Sequence, residues 1–583
     1  MGAQHSIEAA KPRSIGFVPA CLLAVAIIVI LTGVAAIRQS QILPSYFFWS
    51  QDLAGAVASV SILLMIVGLS RRTSALVDSS LPLLTPKVLG AVLLAVAAFC
   101  FVGHHLVLAG HALSRDEQMA LFDARIFASG GWTGTIPAEW VGFRGALNTV
   151  FLDTNLTGSA WASTYRPVNA LLHAPGVAIG LPELVSPLLV ALAIWATWRC
   201  ARKIWPHKPE PALVAVVLMA LGSQLLVSGM TSYAMNGLLA LNMLWLLLFM
   251  QDRPRAHAAA LVIGFMATGM HQLLYHPVFA FPALTLLVID KRWRLAALYA
   301  VAYLGFLAFW DQFPVLREGW AGVPDVVPTG VATPVSGTAS QLGGMTDRLA
   351  QGFSFDPFLI QAANLVRFVT WQHVLLLPLA LIGAHHAWRH RAGNRWLLVF
   401  LAMILLTVWL KTVHRPYQGH GWGYRYLHGE LGVAGLLAAG GWRILRERGQ
   451  ANARLFVLAS LASLALLLPM RLVQARAFSE SYAVVDRAIA RSRSDILIVD
   501  DLAAPFAQDL VVNDPFVRNR PVRLAASALT PNDVVRLCRR GPIVVFGANE
   551  LRPVNAELGR VRTDSPTDTA IVVTAARKCG ERR

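Results

Sequence analysis

Long runs of apolar residues, separated by short polar segments, fill the chain from about residue 15 to residue 470. Most runs hold about 17 to 25 residues, and a helix that rises 1.5 Å per residue needs about 20 to cross a membrane. The first run is too long for the core of a signal peptide, so we expect it to remain as a membrane anchor. The predicted membrane-spanning helices number about thirteen and lie near 15–37, 52–69, 88–111, 184–201, 211–227, 234–250, 256–270, 272–289, 294–311, 372–388, 396–412, 427–443 and 454–470.

The composition agrees with a membrane protein and excludes two other classes. Of the 583 residues, 56% are apolar and only 14% are charged, whereas soluble chains carry about 25% charged residues. These proportions exclude an ordinary cytosolic enzyme and an intrinsically disordered protein. The sequence therefore predicts an all-α polytopic membrane protein whose transmembrane module covers 15–470.

The positive charges indicate how the helices are oriented. The formal net charge of +18 would by itself also suit a protein that binds nucleic acid. Lys and Arg, however, are about twice as numerous in one set of alternate loops, which the positive-inside rule assigns to the cytoplasm together with residues 1–14. We therefore expect no nucleic-acid partner and a multi-pass protein of the bacterial-type inner (cytoplasmic) membrane.

Three long segments then fall on the extracytoplasmic side: 112–183, 312–371 and 471–583. This assignment depends on 256–289, where glycine and proline interrupt the apolar run. We interpret that stretch as two helices, because a single helix would reverse every later loop and turn the basic clusters outward.

The last segment, 471–583, has the composition of a water-soluble domain, and we expect it to form a small extracytoplasmic α/β domain. Apolar runs predict strands, and longer mixed stretches predict helices. The predicted strands are 496–499, 543–546 and 571–573, and the predicted helices are 481–493 and 530–540. Cys538 and Cys579 both lie in this segment, so a disulfide between them is allowed.

Two adjacent acids, Asp116 and Glu117, open the first extracytoplasmic segment. Three apolar residues follow at helical spacing, which predicts an amphipathic helix at the membrane surface. These residues are Met119, Phe122 and Ile126. One interpretation of the acids is structural, because Ser114 and Glu117 have the spacing of a capping box and acids stabilise the first turn of a helix. The other is catalytic.

Arginines beside tyrosines recur in the segments predicted to face the same side. Tyr165 and Arg166 precede a proline, Arg415 follows a late apolar run, and Tyr424 and Arg425 precede the next one. Arginine stays charged, and its planar donors match phosphate oxygens in pairs, which suits a lipid-linked phosphate. The alternative is that each arginine reaches lipid headgroups without a specific role.

Other polar residues of the outer segments are weaker candidates. His271 lies at an outer turn, where substrate contact and interfacial packing are both open. Asp52 opens the second span, where a helix cap is the simpler interpretation. The long second loop is rich in Gly, Pro and Thr, which favours a flexible flap that binds an acceptor. Any of its acids could be a second active-site acid, namely Asp311, Glu318, Asp325, Asp347 or Asp356.

Taken in order, these features resemble the GT-C superfamily of polytopic glycosyltransferases, which includes protein mannosyltransferases and the aminoarabinose transferases of lipid A. The shared features are the Asp-Glu pair in an early outer loop, the Arg-Pro element at its end, about thirteen spans, the Arg-Tyr-Leu element before a late span, and a C-terminal outer domain. The resemblance covers most of 88–470. The chain departs from the family in having two extra spans before the acidic pair.

The resemblance implies a membrane glycosyltransferase that moves a sugar from a polyprenyl-phosphate donor to a cell-envelope acceptor, which could be a glycan, a lipid or a protein. Asp116 would be the base, and Glu117 would orient Asp116, the acceptor or a metal. Tyr165, Tyr424 and His271 would contact substrate. Arginines would hold the phosphate, namely Arg166, Arg415 and Arg425. The resemblance implies no particular cofactor, and the need for a divalent cation stays open.

Three other functions remain alternatives at this stage, and one of them is a structural or scaffolding role with the C-terminal α/β domain as the functional unit. A transporter or flippase for a lipid-linked or anionic solute would place ionisable residues in the middle of spans, whereas most spans here lack them. An O-antigen ligase or polymerase would share the compartment and the arginine-rich loops.

Overall fold

The structure is a computed structural model that describes residues 15–37, 41–72, 80–153, 156, 158–320, 356–414, 417–559 and 566–581. Most of these residues are helical, and the described strands lie in the first long loop and near the C-terminus. The prediction of a mostly helical membrane module is confirmed.

The helices of the N-terminal part follow the apolar pattern. They are α1 (Phe17–Ala35), α2 (Ile42–Phe47), α3 (Leu53–Arg72) and α4 (Pro86–Leu106). The first long loop contains α5 (Arg115–Ala128), β1 (Gly134–Thr135), α6 (Ala138–Val141), α7 (Arg144–Leu147), β2 (Ala160–Trp161) and α8 (Val168–Ala178). A short π-helical turn joins α2 to α3, so the two form one continuous helical stretch.

The remaining helices of the module continue the pattern. The first group is α9 (Val185–Ile204), α10 (Glu210–Ala220), α11 (Ser223–Ser228), α12 (Ala234–Gln251), α13 (Pro254–Thr268), α14 (Tyr275–Ile289) and α15 (Trp293–Trp320). The second group is α16 (Asp356–Thr370), α17 (Leu376–Arg389), α18 (Arg395–His414), α19 (Leu431–Glu447), α20 (Ala453–Ala462) and α21 (Leu468–Ala490). A short 3-10 helix, Arg425–Glu430, leads into α19.

Each of the thirteen predicted runs overlaps a helix or two consecutive helices. Within the described part of the chain, eight helical stretches are long and apolar enough to cross a membrane. These are Phe17–Ala35, Ile42–Ser70, Pro86–Leu106, Pro182–Ile204, Ala234–Gln251, Trp293–Trp320, Arg395–His414 and Ala453–Ala490. Thirteen crossings therefore stay a prediction, since α10 and α14 are apolar but shorter.

The interrupted stretch 256–289 forms two helices, α13 and α14, as expected. The break begins at Gly269, where a Cβ atom would lie 2.4 Å from the ring of Trp310, so only glycine fits beside that ring. His271 and Gln272 lie in the break, between the ends of the two helices.

Contacts between loops agree with the predicted alternation of the helices. At the predicted cytoplasmic end, which we call the inner end, Asp252 pairs with Arg292 at 2.7 Å and Asp290 with Arg395 at 3.0 Å. At the opposite, outer end, the Lys411 Nζ donates to the Gln272 Oε1 at 3.0 Å. Segments assigned to one side thus meet one another.

The C-terminal segment is an α/β unit with one parallel sheet. The sheet has the order β4–β3–β5, from β3 (Ile496–Val499), β4 (Val522–Ala525) and β5 (Ile543–Phe546). The helices around it are α22 (Pro531–Cys538), α23 (Arg552–Glu557) and α24 (Thr567–Glu581). A disulfide joins Cys538 in α22 to Cys579 in α24. Two predicted strands and both predicted helices are present.

One predicted strand is wrong and one strand was missed. Residues 571–573 belong to α24, because Val572 and Ala576 are four residues apart and both are buried on one helical face. The missed strand β4 has a charged residue, Arg523, among its apolar positions. A run of three apolar residues fits a strand or a helix equally well, and only its neighbours decide.

The apolar face of α5 does not lie on the membrane surface as expected. Met119, Phe122 and Ile126 are buried in one hydrophobic cluster with residues of the C-terminal sheet, including Ile498 and Leu524. The sheet therefore covers this face, and the first long loop and the C-terminal segment share a core. An amphipathic helix needs an apolar partner, and sequence alone did not distinguish lipid from protein.

Candidate functional site

Asp116 lies in the first turn of α5 and is held by two donors. The Tyr165 hydroxyl donates to the Asp116 Oδ1, and the Arg425 Nη2 donates to the Asp116 Oδ2 at 2.5 Å. Burial alone would raise the pKa of Asp116, but the charge of Arg425 and the two hydrogen bonds outweigh it and lower the pKa. Asp116 is therefore a carboxylate at neutral pH.

Arg425 lies 309 residues after Asp116 in the sequence. Contacts with neighbouring residues hold its side chain in the position that reaches Asp116. Its guanidinium lies 4.5 Å from the centre of the Tyr233 ring and donates to the His420 carbonyl oxygen. Gly421 adopts a φ of +150°, and a Cβ there would lie 2.0 Å from the Arg425 Cδ. Glycine at 421 thus lets the arginine stem pack against the loop.

Glu117 points away from Asp116. Its Oε2 accepts the backbone N–H of Ser232 at 3.1 Å, and the side chain is 2% exposed. Burial raises the pKa of Glu117 to about 8, although that backbone hydrogen bond opposes the rise. The capping-box interpretation is wrong, since Ser114 makes no capping hydrogen bond to α5. Glu117 joins α5 to the start of α12.

Asp116 faces a cavity of about 590 Å³ at the outer end, which we call the main cavity. Two of the predicted arginine-bearing loops meet here, as do the break between α13 and α14 and the C-terminal segment. Its charged and polar lining residues include Asp116, Tyr165, Arg166, His271, Gln272, His414, Gln418, His420, Arg425, Gln508 and Asp509. Tyr417, Tyr426 and Phe506 add aromatic surface. A much smaller pocket on the other side of Asp116 is lined by Asp123, Asn169 and Tyr233.

Arg166 and His271 line the main cavity side by side. The Arg166 Nη1 donates to the His271 carbonyl oxygen at 3.2 Å, and the His271 ring lies 5.2 Å from the Tyr165 ring. Burial lowers the pKa of Arg166 to about 10, so the guanidinium stays charged at neutral pH. Burial lowers the pKa of His271 to about 4, although the charge of Asp116 opposes this. His271 is thus a neutral hydrogen-bonding group.

Tyr424 and Arg415 complete the set predicted from the sequence. Tyr424 is fully buried, and its hydroxyl donates to the Gln361 Oε1 at 2.9 Å, away from the main cavity. Its expected substrate contact is therefore corrected to a packing role that anchors the loop before Arg425. Arg415 lies outside the described residues.

Sequence analysis did not identify several residues that line the main cavity, and Asp509 is the clearest functional candidate among them. Its carboxylate lies 3.8 Å from the Arg115 Nε and 3.7 Å from the His420 Nε2. Burial raises the pKa of Asp509 to about 7, although the charge of Arg115 opposes the rise. Asp509 belongs to the loop between β3 and β4, where no motif or spacing marks it. Only the fold brings it to the main cavity.

Lys411 lies four residues before Arg415 and forms part of an aromatic cage at the edge of this region. Its Nζ lies 4.0 Å from the centre of the Tyr275 ring and 4.3 Å from that of Tyr426. Such contacts favour a charged ammonium in a partly dry setting. The cage fixes the break between α13 and α14 to the end of α18.

The weaker acidic candidates lie in different parts of the structure. Asp52 is buried, accepts the Trp371 indole N–H at 3.0 Å and lies within 4 Å of Arg367 and Arg471. The cap interpretation of Asp52 is therefore wrong. Asp311 lies in α15, and its charge acts on Arg166. Glu318 lies in the last turn of α15 and Asp356 opens α16, and neither of them lines the main cavity. Asp325, Asp347 and the predicted flap between them lie outside the described residues.

The arrangement suits an anionic ligand with a reactive hydroxyl nearby. Arg425 and Arg166 offer guanidinium donors, Tyr165 and the neutral His271 offer hydrogen bonds, and Asp116 offers a carboxylate that can accept a proton. Among the described residues, no group of three His, Cys, Asp or Glu side chains is placed to hold a metal ion.

Comparisons with known proteins find similarity in solved structures. No protein-family model matches the chain, and no curated protein matches it. The solved structure of ArnT from Cupriavidus metallidurans bound to undecaprenyl phosphate is similar at 14% identity with a TM-score of 0.47, over 74% of this chain and 86% of ArnT. The apo structure of the same protein gives 14% and 0.47 over 81% and 89%. At this level of similarity the assignment of chemistry rests on the residues of the cavity itself.

Proposed function

We propose that the chain is an inner-membrane glycosyltransferase that moves a sugar from a polyprenyl-phosphate donor to an acceptor outside the cytoplasm. The observation that carries the proposal is the cluster of Asp116, Tyr165 and Arg425 at the wall of the main cavity. A carboxylate and an arginine from loops about 300 residues apart converge on one ligand-sized space. The outer end of the helices would be the extracytoplasmic side.

Asp116 would act as the base. The acceptor oxygen forms a bond to the anomeric carbon, the bond from that carbon to the phosphate oxygen breaks with its electron pair leaving on the phosphate, and the hydroxyl proton goes to Asp116. A low pKa makes Asp116 a weak base, so it would take the proton late, when the new C–O bond has already acidified the hydroxyl. Glu117, which contacts Ser232, would set the orientation of α5.

Arg425 and Arg166 would bind the phosphate of the donor, with Arg415 as a further predicted contact. Their charge stabilises the leaving phosphate, and the loss of one well-placed donor typically costs about 3 kcal/mol of activation free energy. When the phosphate enters, it shares the Arg425 guanidinium with Asp116. That sharing weakens the hold on Asp116 and raises its pKa, so the donor would activate the base.

A transporter is less well supported by the same geometry. The charged side chains of the main cavity gather at one end of the helices and not along a path between the two ends. The buried group around Asp52 also lies at this end, because Arg367 donates to the carbonyl oxygen of Gly421 beside the cavity. A transferase needs only this one-sided access.

The test uses purified full-length protein and a panel of labelled polyprenyl-phosphate sugars. The measurement is the transfer of label to water or to an added envelope extract. We expect one donor to be consumed, and Asp116→Asn to abolish transfer while the thermal unfolding midpoint stays close to that of the wild type. Asp568→Asn, which makes the same change at an exposed position of α24, is the matched control. Normal transfer by Asp116→Asn would refute the base assignment, and consumption of no donor would refute the proposed activity.

A further inference from the structure

A second cavity of about 480 Å³ lies beside the main cavity, where the C-terminal unit meets the end of α4 and the outer face of α5. The residues that matter here are His111, Gln118, Arg125, Arg518 and Arg523. Nothing in the proposed reaction uses this space. We call it the side cavity.

Two arginines of the side cavity have guanidinium groups that can bind an anionic ligand. Arg125 and Arg518 are exposed, and among the described residues neither guanidinium makes a hydrogen bond or an ion pair. Arg518 rests with its guanidinium 4.8 Å from the centre of the Phe516 ring. By contrast, Arg523 is occupied by the Asp486 carboxylate at 2.5 Å. The remaining acid, Asp514, accepts the backbone N–H of Phe516, so the side cavity as a whole carries an excess of positive charge.

Two buried side chains of the wall leave a polar atom unpaired. The Gln118 amide nitrogen donates to the carbonyl oxygens of Ala112 and Asp509 at 2.9 and 2.7 Å, and these two bonds fix the amide. Its Oε1 then has no partner among the described residues, although the residue is only 5% exposed. The Nε2 of His111, which is 7% exposed, is also unpaired.

These unpaired atoms define the ligand. The Gln118 Oε1 can only accept a hydrogen bond. The His111 Nδ1 faces Asp486 at 3.5 Å, so Nε2 is the ring nitrogen that is available to a ligand. A ligand must therefore present hydroxyl groups, which can donate to Gln118 and hydrogen-bond with His111, and an oxyanion to two guanidiniums. A bare anion lacks the donors, and a neutral sugar lacks the charge.

We infer that the side cavity binds a sugar that carries a carboxylate or phosphate group. Arg125 and Arg518 would hold the oxyanion, and the sugar hydroxyls would donate to Gln118 and hydrogen-bond with His111. The wall between the two cavities is thin, because Gln118 binds the backbone of Asp509, whose side chain lines the main cavity. If the proposed function holds, the bound sugar is a non-reacting unit of the acceptor, positioned beside the reacting hydroxyl.

A binding experiment tests the inference without requiring transfer. Detergent-solubilised full-length protein is titrated calorimetrically with trigalacturonate, mannose 6-phosphate, maltotriose and inorganic phosphate. We expect one or both anionic sugars to bind at least tenfold more tightly than maltotriose and phosphate. Arg125→Gln and Arg518→Gln should each weaken that binding about tenfold, whereas Arg539→Gln, the same change at an exposed position of the C-terminal unit, should leave it unchanged.

The other outcomes overturn the inference. These are equal binding of phosphate and sugar, equal binding of maltotriose, no binding of any probe, and no effect of the two arginine variants. Binding of phosphatidylglycerol vesicles that depends on Arg518, without binding of either anionic sugar, would assign the side cavity to lipid headgroups instead. Asp116→Asn should bind the anionic sugar like the wild type, so failure of the proposed transfer and failure of this site are distinguishable.

Discussion

Ion pairs at the two ends of the helical module differ in exposure. At the inner end, Asp290 and Arg395 are 35% and 55% accessible. At the outer end, Asp116 and Arg425 are more buried, at 21% and 4%. Exposed pairs contribute about 0 to 1 kcal/mol, whereas a buried charge is costly to desolvate. Sequence counts of charge do not reveal this contrast, and it marks the outer end as the place where charge has a specific use.

The largest expected effect comes from removing a charge at the outer end. Arg425→Gln should lower kcat/KM for the polyprenyl-phosphate donor by about 100- to 1,000-fold, because it removes a phosphate ligand and the partner of Asp116. The measurement is the initial rate of label transfer at several donor concentrations. Arg292→Gln makes the same change at the inner end and should keep the wild-type rate. Equal losses in both variants would break the comparison between the two ends.

A smaller effect should follow pH through Asp509. Its pKa of about 7 means that the side chain is neutral at pH 6 and charged at pH 8. A negative charge in the main cavity repels the donor phosphate, so the KM for the donor should rise about tenfold from pH 6 to pH 8. The donor is a phosphodiester and does not titrate in this range. Asp509→Asn should flatten this dependence, and a KM in that variant that still rises with pH would refute the assignment.

The smallest effect is expected for the exposed pair of the inner end. Arg395→Gln should change the free energy of unfolding by no more than about 0.5 kcal/mol, because solvent screens its attraction to Asp290. Denaturant titration of the detergent-solubilised protein gives this value, and the rate of transfer serves as a second readout. A loss of several kcal/mol would mean that this end, too, depends on specific charge contacts.

The sequence was informative wherever one physical rule dominated. Apolar run length predicted the helices, because the cost of burying polar backbone in lipid overrides local preference. The break between α13 and α14 was predicted from the interrupting glycine and prolines and from the charge of the later loops. The sequence also predicted that Asp116 and Arg425 lie at the same end of the helical module, which the structure confirms. Their roles in a reaction stay predictions.

The features that the sequence did not predict depend on which surfaces pack against each other in the fold. The apolar face of α5 could have faced lipid or protein, and only the C-terminal sheet decided. The short apolar run at 571–573 fits the periodicity of a strand and that of a helix. No sequence motif near Asp509 marks this acid as a functional residue. The Ser114 and Glu117 spacing suggested a cap, but the backbone N–H of Ser232 provided a better partner for the glutamate.

The wall of the main cavity combines segments that are far apart in the sequence, which has a consequence for the folding of the newly synthesised protein. Arg115 donates to the carbonyl oxygen of Gln508, almost 400 residues later in the chain. A ribosome-bound intermediate that has already inserted nearly all of its helices would still have an open, unfinished chamber. The proposed activity would therefore begin only when the final segment has been synthesised and has folded against α5.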